Sequence, residues 1–286
     1  MDPWSSLSPR HSGNNSIAGK SLQKFRLWEQ NVTKDIADFH TAWPGGYYEG
    51  DPTDAFAASS YLGSGYVSVL YVTYLVCIKP FVGPETTVLE IGPGRGAWTK
   101  TFLDLGASKV WALDAASAEH TGFNDYVGMR REVEYRQVSD QTLGNVPDNS
   151  IDYFFSYGVF CHLPEAIIGD YLKALPGKMR SGAHGFFLIA DFDQHDARMR
   201  DPDALDRLFE LRRYIPQRIV HRVMSRLAPF KYKDRSRWED PGPPPTEWYH
   251  LGKTKAAQLA REAGLIVIEE DTGTCPRDPI LHVVRP

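Results

Sequence analysis

The chain has 286 residues, 42% of them hydrophobic and 24% charged, with 32 basic against 36 acidic side chains and a net charge of −4. This is ordinary composition for one large globular domain or a core domain with extensions. The near-neutral balance argues against a whole-molecule field for nucleic acid or membrane, though not against a local patch. Cys77, Cys161 and Cys275 lie far apart with no CxxC pair, so neither a disulfide framework nor a zinc site is indicated, and a reducing, cytoplasmic home is expected.

Residues 1–20 lack the basic-flanked apolar core of a signal peptide and read as a flexible arm rich in Ser, Asn, Gly and Pro. Residues 21–84 read as an N-terminal helical cap. Leu22, Phe25, Trp28, Val32 and Ile36 recur near one helical face, and the segment TAWPGGYYEGDPTD then marks a loop. The uncharged run Ala55 to Ile78 has the length of a bilayer span, but it carries serines, two glycines and tyrosines. Only Val67 to Ile78 is densely apolar, so a buried helix ending at Lys79-Pro80 is the better reading.

From Thr86 onward strands and helices alternate. TTVLEIG is a strand, RGAWTKTFLDLG a helix closed by Gly106, KVWALDA a strand and VEYRQVS a third, with weak pattern between the last two. SIDYFFSYG is a fourth strand, PEAIIGDYLKALPGKM a helix and GAHGFFLIADF a fifth strand. The chain ends as helix (253–263), strand (265–270), turn and strand (280–284). This order predicts an α/β fold: a Rossmann-like, seven-stranded, mostly parallel sheet with helices on both faces. The short final connection allows only an antiparallel pair, so one antiparallel strand is expected at the C-terminal edge. The domain proper would span 85–286, interrupted by an inserted helical cap segment, 193–252, after strand five. Between Arg198 and Arg237 that insertion holds twelve Arg or Lys against five Asp or Glu.

The best-defined motif is Val88-Leu89-Glu90-Ile91-Gly92-Pro93-Gly94-Arg95-Gly96-Ala97, a buried strand running through a glycine-rich turn into a helix. Such a turn lets backbone approach a ligand closely and presents free N–H donors. Gly92-x-Gly94-x-x-Ala97 also fits the dinucleotide fingerprint, and Asp114, at the end of the second strand, could accept from the ribose of either an NAD-type or an adenosyl ligand. Glu90 before the glycines would repel a pyrophosphate and suits a cationic amino group and sulfonium. Asp140, ending the third strand, can accept from an adenine amine.

With these residues in place, VLEIGPGRG, WALDAAS and VSDQTLGNVPDNSIDYFFSYGVFCHLP resemble the class I S-adenosylmethionine-dependent methyltransferases over about 86–192 and, more loosely, 253–286. The resemblance implies S-adenosylmethionine as cofactor. Glu90, Gly92, Gly94 and Gly96 would hold its methionine portion, Asp114 its ribose, Asp140 its adenine amine, and Ser156 and Tyr157 would line it near the methyl group. Arg95 is expected to point away from the sulfonium.

The acceptor is less well marked. His162 after strand four, Asp191 ending strand five and His195 beyond it are the catalytic candidates, as bases or acceptor-binding groups. Asp191, Asp193 and His195 also have metal-ligand chemistry, but ADFDQHD reads as a plain acidic loop and no metal is expected. Trp248, Tyr249 and His250 are expected to return to the pocket, with Trp43, Tyr47, Tyr48 and Tyr66 closing it from the other side. The leading expectation is a small-molecule methyltransferase acting on oxygen, its acceptor a sugar, sugar-bearing or natural-product-like compound, acidic or phosphate-bearing in view of the basic insertion. No membrane or nucleic-acid partner is expected, and a homodimer is left open. An RNA or protein methyltransferase, a cofactor-binding module without activity and an NAD-dependent oxidoreductase are the alternatives.

Overall fold

In the computed structural model the described residues are 45, 47–56, 68–194, 248–275 and 278–286. The expected arm over 1–20, most of the N-terminal cap and the basic part of the insertion, Trp43, Tyr66 and His195 included, lie outside them. A helix, α1 (Val69–Thr73), passes into a π-helical turn (Tyr74–Ile78), where Lys79 donates its N–H to the Tyr74 carbonyl at 2.9 Å. No helix among the described residues is long and apolar enough to cross a membrane.

The alternating pattern then builds β1 (Thr87–Ile91), α2 (Ala97–Asp104), β2 (Lys109–Asp114), α3 (Ala118–Thr121), α4 (Phe123–Val127), β3 (Val133–Gln137) and β4 (Ile151–Ser156). It continues through α5 (Glu165–Lys178), β5 (Met179–Leu188), α6 (Lys253–Glu262), β6 (Ile266–Glu269) and β7 (Ile280–Val284). The seven strands form one sheet in the order β3-β2-β1-β4-β5-β7-β6. β1 to β5 pair in parallel, and β7 is antiparallel to β5 and to β6. The mostly parallel, Rossmann-like sheet is therefore as expected. The antiparallel strand sits one place in from the rim, because the hairpin folds β7 between β5 and β6 and leaves β6 outermost.

Period-two alternation decides which layer each strand residue serves. On one face Leu89, Ile91, Phe154 and Phe187 pack with Ile168, Leu172 and Leu175 of α5 and Ala256, Ala257 and Ala260 of α6. On the other, Val88, Tyr153, Phe155 and Phe186 pack with Leu70, Ile78, Trp98 and Phe102. Each large side chain buried this fully contributes roughly 1.5–3 kcal/mol before entropy is charged against it. Tyr153 is fully buried and satisfies its hydroxyl by donating to the Cys77 carbonyl at 2.6 Å. β5 begins at Met179 directly after α5, three residues earlier than the sequence pattern suggests, since Ile151 pairs with Met179 before the polar Arg180-Ser181 stretch.

Candidate active site

The C-terminal ends of β3, β2, β1 and β4 lie side by side, and the loops that leave them enclose one cavity. Its walls are Gly92 and Gly94 after β1, Asp114 to Ala116 after β2, Val138 to Gln141 after β3, and Tyr157 to Val159 with His162 after β4. Leu163, Pro164, Ile167 and Tyr171 close one side and Tyr47 another. With its solvent-open mouth included, the space measures about 1130 Å³. This is the position at which open α/β sheets bind ligands.

The glycine turn is shaped by what packs against it. Gly94 has φ +53°, and a Cβ there would meet the Tyr47 carbonyl oxygen at 2.9 Å. Asp114 ties the same turn to β2: Oδ2 accepts the Gly94 N–H at 3.1 Å and Oδ1 the Ala116 N–H at 2.9 Å. Burial pushes the Asp114 carboxyl up while these backbone bonds pull it down. Asp140 is more open. Its Oδ1 accepts from the Thr142 hydroxyl at 2.7 Å and the Thr142 N–H at 2.9 Å, and those bonds hold the carboxyl below its usual range. Arg95 turns outward as expected, its guanidinium 5.6 Å from the ring centres of both Tyr48 and Tyr126.

Of the remaining residues expected to hold the cofactor, Gly92 and Tyr157 line the cavity and three others stand behind its wall. Glu90 is 1% exposed and accepts a hydrogen bond from the Thr99 hydroxyl. The reason is parity: Ile91 and Leu89 face α5, so Glu90 faces α2, where Thr99 sits. Burial raises its carboxyl to about 8, with the Thr99 bond opposing the rise. Gly96 N-caps α2 against Phe123 and Val127. Ser156 is buried and donates to the Ile91 carbonyl at 3.1 Å.

Of the two catalytic candidates among the described residues, His162 lines the cavity, in a 3₁₀ turn (Phe160–His162), edge-on to Trp248 with ring centres 5.7 Å apart. Asp191, expected as a base or acceptor-binding group, does not line the cavity and caps two helical turns. Its Oδ1 accepts the N–H groups of Asp193 and Gln194, and its Oδ2 that of Lys253 at the start of α6, all at 3.0 Å. Three backbone donors engage most of the acceptor sites of this buried carboxylate. His195 lies outside the described residues.

The segment 248–250 packs beside His162 and the end of β5, but none of its residues lines the cavity. Tyr249 donates its N–H to the Cys161 carbonyl at 2.8 Å, and His250 bridges to Ala190 while its Nδ1 accepts the Phe192 N–H at 3.1 Å. Sequence reasoning missed Val138, Gly158, Ile167 and Tyr171 as wall residues. Ile167 and Tyr171 are four apart on α5 and so share one face, a spacing that is visible once the cavity's location is known.

One protein-family model matches the chain, over residues 89–175, and describes a methyltransferase domain. Over those residues the chain resembles a methyltransferase domain. Among solved structures it is similar to the PH0226 protein of Pyrococcus horikoshii OT3, at 14% identity and a TM-score of 0.50, over 75% of this chain and 88% of that one. It is similar as well to a 1,6-didemethyltoxoflavin-N1-methyltransferase of Burkholderia thailandensis solved with 1,6-didemethyltoxoflavin and S-adenosylhomocysteine bound (12% identity, TM-score 0.49, 97% of this chain and 94% of that one). A third is a methyltransferase structure from Galdieria sulphuraria at 12% identity and a TM-score of 0.44, which matches 70% of this chain; the chain spans 62% of that protein's length. No curated protein sequence matches the chain significantly.

The cavity fits an adenosyl ligand such as S-adenosylmethionine on three observations. The four strand ends span roughly 14 Å at about 4.8 Å per strand, the reach of an extended adenosyl ligand. Acceptor carboxylates stand at two of them, Asp140 and Asp114. The turn after β1 presents backbone rather than side chains to the cavity at Gly92 and Gly94.

Proposed function

We propose that the chain is an S-adenosylmethionine-dependent methyltransferase that methylates a hydroxyl of a small-molecule acceptor, a sugar, sugar-bearing or natural-product-like compound, with His162 as general base. The observation that carries this reading is that His162 is a titratable group in the cavity wall, held edge-on against Trp248. In the same reading Gly92 and Gly94 take the methionine portion of the cofactor, Asp114 the ribose hydroxyls and Asp140 the adenine amine. Glu90, Gly96 and Ser156 support that wall from behind. The aromatic rings of Tyr47 and Tyr157 in the cavity wall suit the face of a sugar or planar ring. The twelve basic residues against five acidic ones between Arg198 and Arg237 support an acidic or phosphate-bearing acceptor.

When bound, the cofactor supplies an electrophilic methyl group on a sulfonium. The chain's part is to align the acceptor oxygen with that carbon, exclude water and remove the acceptor's proton to the His162 imidazole. Titration calorimetry of S-adenosylmethionine and S-adenosylhomocysteine, followed by an acceptor screen for the gain of one methyl group by mass spectrometry, tests the reading. His162→Ala is expected to lower kcat by roughly 10²–10⁴-fold, the usual weight of a general base, with cofactor affinity within twofold of wild type. Unchanged kcat in that variant, or methyl gain only on amine acceptors, would sink the oxygen assignment.

A further inference from the structure

We infer that Tyr47, held by Glu49, is a cofactor-contacting residue that favours the charged sulfonium cofactor over the neutral product. The inference rests on the cofactor placement proposed above and adds to it a residue outside the 89–175 match. Tyr47 is half-buried and lines the cavity from the chain segment that precedes the sheet. Its position along the cavity is fixed at two points. Its carbonyl oxygen accepts the Arg95 N–H at 3.3 Å and takes the room that a Cβ on Gly94 would need. Its ring lies over Gly158, where a Cβ would come within 3.3 Å of Cε1. Gly94 follows β1 and Gly158 follows β4, while Asp114 and Asp140 follow β2 and β3. In the strand order β3-β2-β1-β4, Tyr47 therefore sits at the opposite end of the row from Asp140. With adenine at Asp140 and ribose at Asp114, the end left for the sulfur is the one Tyr47 covers.

The Tyr47 hydroxyl donates its proton to the Glu49 carboxylate. A phenol whose single proton is committed in this way can offer only lone pairs to anything else near it. A carboxylate behind it increases the negative charge on that oxygen. S-adenosylmethionine has a positive sulfur with an electron-poor methyl group; S-adenosylhomocysteine has a neutral thioether in the same place. An oxygen of this kind attracts the first and is nearly indifferent to the second, which would also speed the exchange of spent product for fresh cofactor. The neighbouring Tyr48 ring, edge-on to Tyr126 at 5.3 Å and beside Arg95, fixes the segment from outside.

The test is calorimetric titration of S-adenosylmethionine and S-adenosylhomocysteine separately into the full chain, Tyr47→Phe and Glu49→Gln. Both variants keep the size of the side chain, and thermal melts establish that each is folded. Tyr47→Phe is expected to weaken S-adenosylmethionine roughly tenfold and S-adenosylhomocysteine less than twofold. Glu49→Gln, which keeps a hydrogen-bond acceptor but loses the charge, should shift the affinity ratio in the same direction by a smaller factor. An equal loss for both ligands would show a packing role and overturn the inference, as would an unchanged ratio in Tyr47→Phe. Wild-type protein that binds neither ligand would instead overturn the cofactor placement on which the inference stands.

Discussion

Glu90 shows how one buried side chain can bind the whole molecule's stability to pH. In the folded chain its carboxyl is raised by burial to about 8, against 4.5 for the free side chain. Between those values the unfolded chain has released a proton that the folded chain still holds, so stability falls as pH rises through the window. Glu90→Gln removes the titration and retains an acceptor for the Thr99 hydroxyl. Urea unfolding from pH 5 to pH 8 should show wild type losing about 3 kcal/mol more than the variant. Parallel profiles would mean that Glu90 is ionised in the fold. Asp191 makes a complementary case. Removing an acceptor for three backbone N–H groups, in Asp191→Ala, is expected to cost about 2 kcal/mol of stability while S-adenosylhomocysteine affinity stays within twofold. Both residues were legible in the sequence as functional carboxylates, because each ends a strand beside the site. What the sequence does not display is the direction of each side chain. Glu90 is turned under α2 by its parity with Ile91, and Asp191 is drawn into the caps of two helical turns by donors as distant as Lys253.

At the scale of elements, the pairing of β5 with β7 carries a second pH response. His184 Nδ1 and His282 Nε2 lie 2.8 Å apart across the two strands, and the His282 ring stacks on Phe186 with centres 4.2 Å apart. Phe81 packs on both imidazoles. Burial lowers both, His282 to about 4, helped by its neighbour His184. Both rings stay neutral in the fold at pH values where the unfolded chain takes up protons. Stability from the pair is therefore present above about pH 6.5 and is lost as pH falls toward 4. His282→Phe keeps the stacking and removes one titrating ring, so thermal melts should fall less steeply between pH 6.5 and 4 than in wild type. An unchanged slope would place the acid response elsewhere. The strand list and parallel pairings were readable from alternation and length, since β-branched and apolar runs separated by helical spacing leave few topologies. The place of β7 was not: a hairpin signal says that β6 and β7 pair, but says nothing about which of the two docks on β5. The π-helical turn at Tyr74–Ile78 carried no signal either, because its apolar residues fit an α-helix equally well.

For the whole molecule, the site is a property of four strand ends rather than of any one motif. The glycine turn, Asp114, Asp140 and the turn after β4 were legible because each interrupts an apolar strand with a residue type that a strand does not need. The apolar wall from α5 was hidden, because Ile167 and Tyr171 look like core residues until the cavity is seen. The division of labour has a measurable consequence. A ligand across β3, β2, β1 and β4 should stabilise those ends and leave β6 and β7 nearly untouched. S-adenosylhomocysteine at a hundred times its dissociation constant adds about 2.7 kcal/mol, enough to raise the unfolding midpoint by roughly 5 °C in a chain of this size. Asp114→Ala should abolish most of that rise, since it removes the expected ribose acceptor and the anchor of the Gly94 N–H together. Hydrogen exchange then separates site from scaffold. New protection should concentrate in residues 92–96, 114–116, 138–141 and 157–171, with amides of β6 and β7 exchanging as before. Protection spread evenly over all seven strands would report global stabilisation only, and protection centred on β6 and β7 would move the ligand away from the cavity described here.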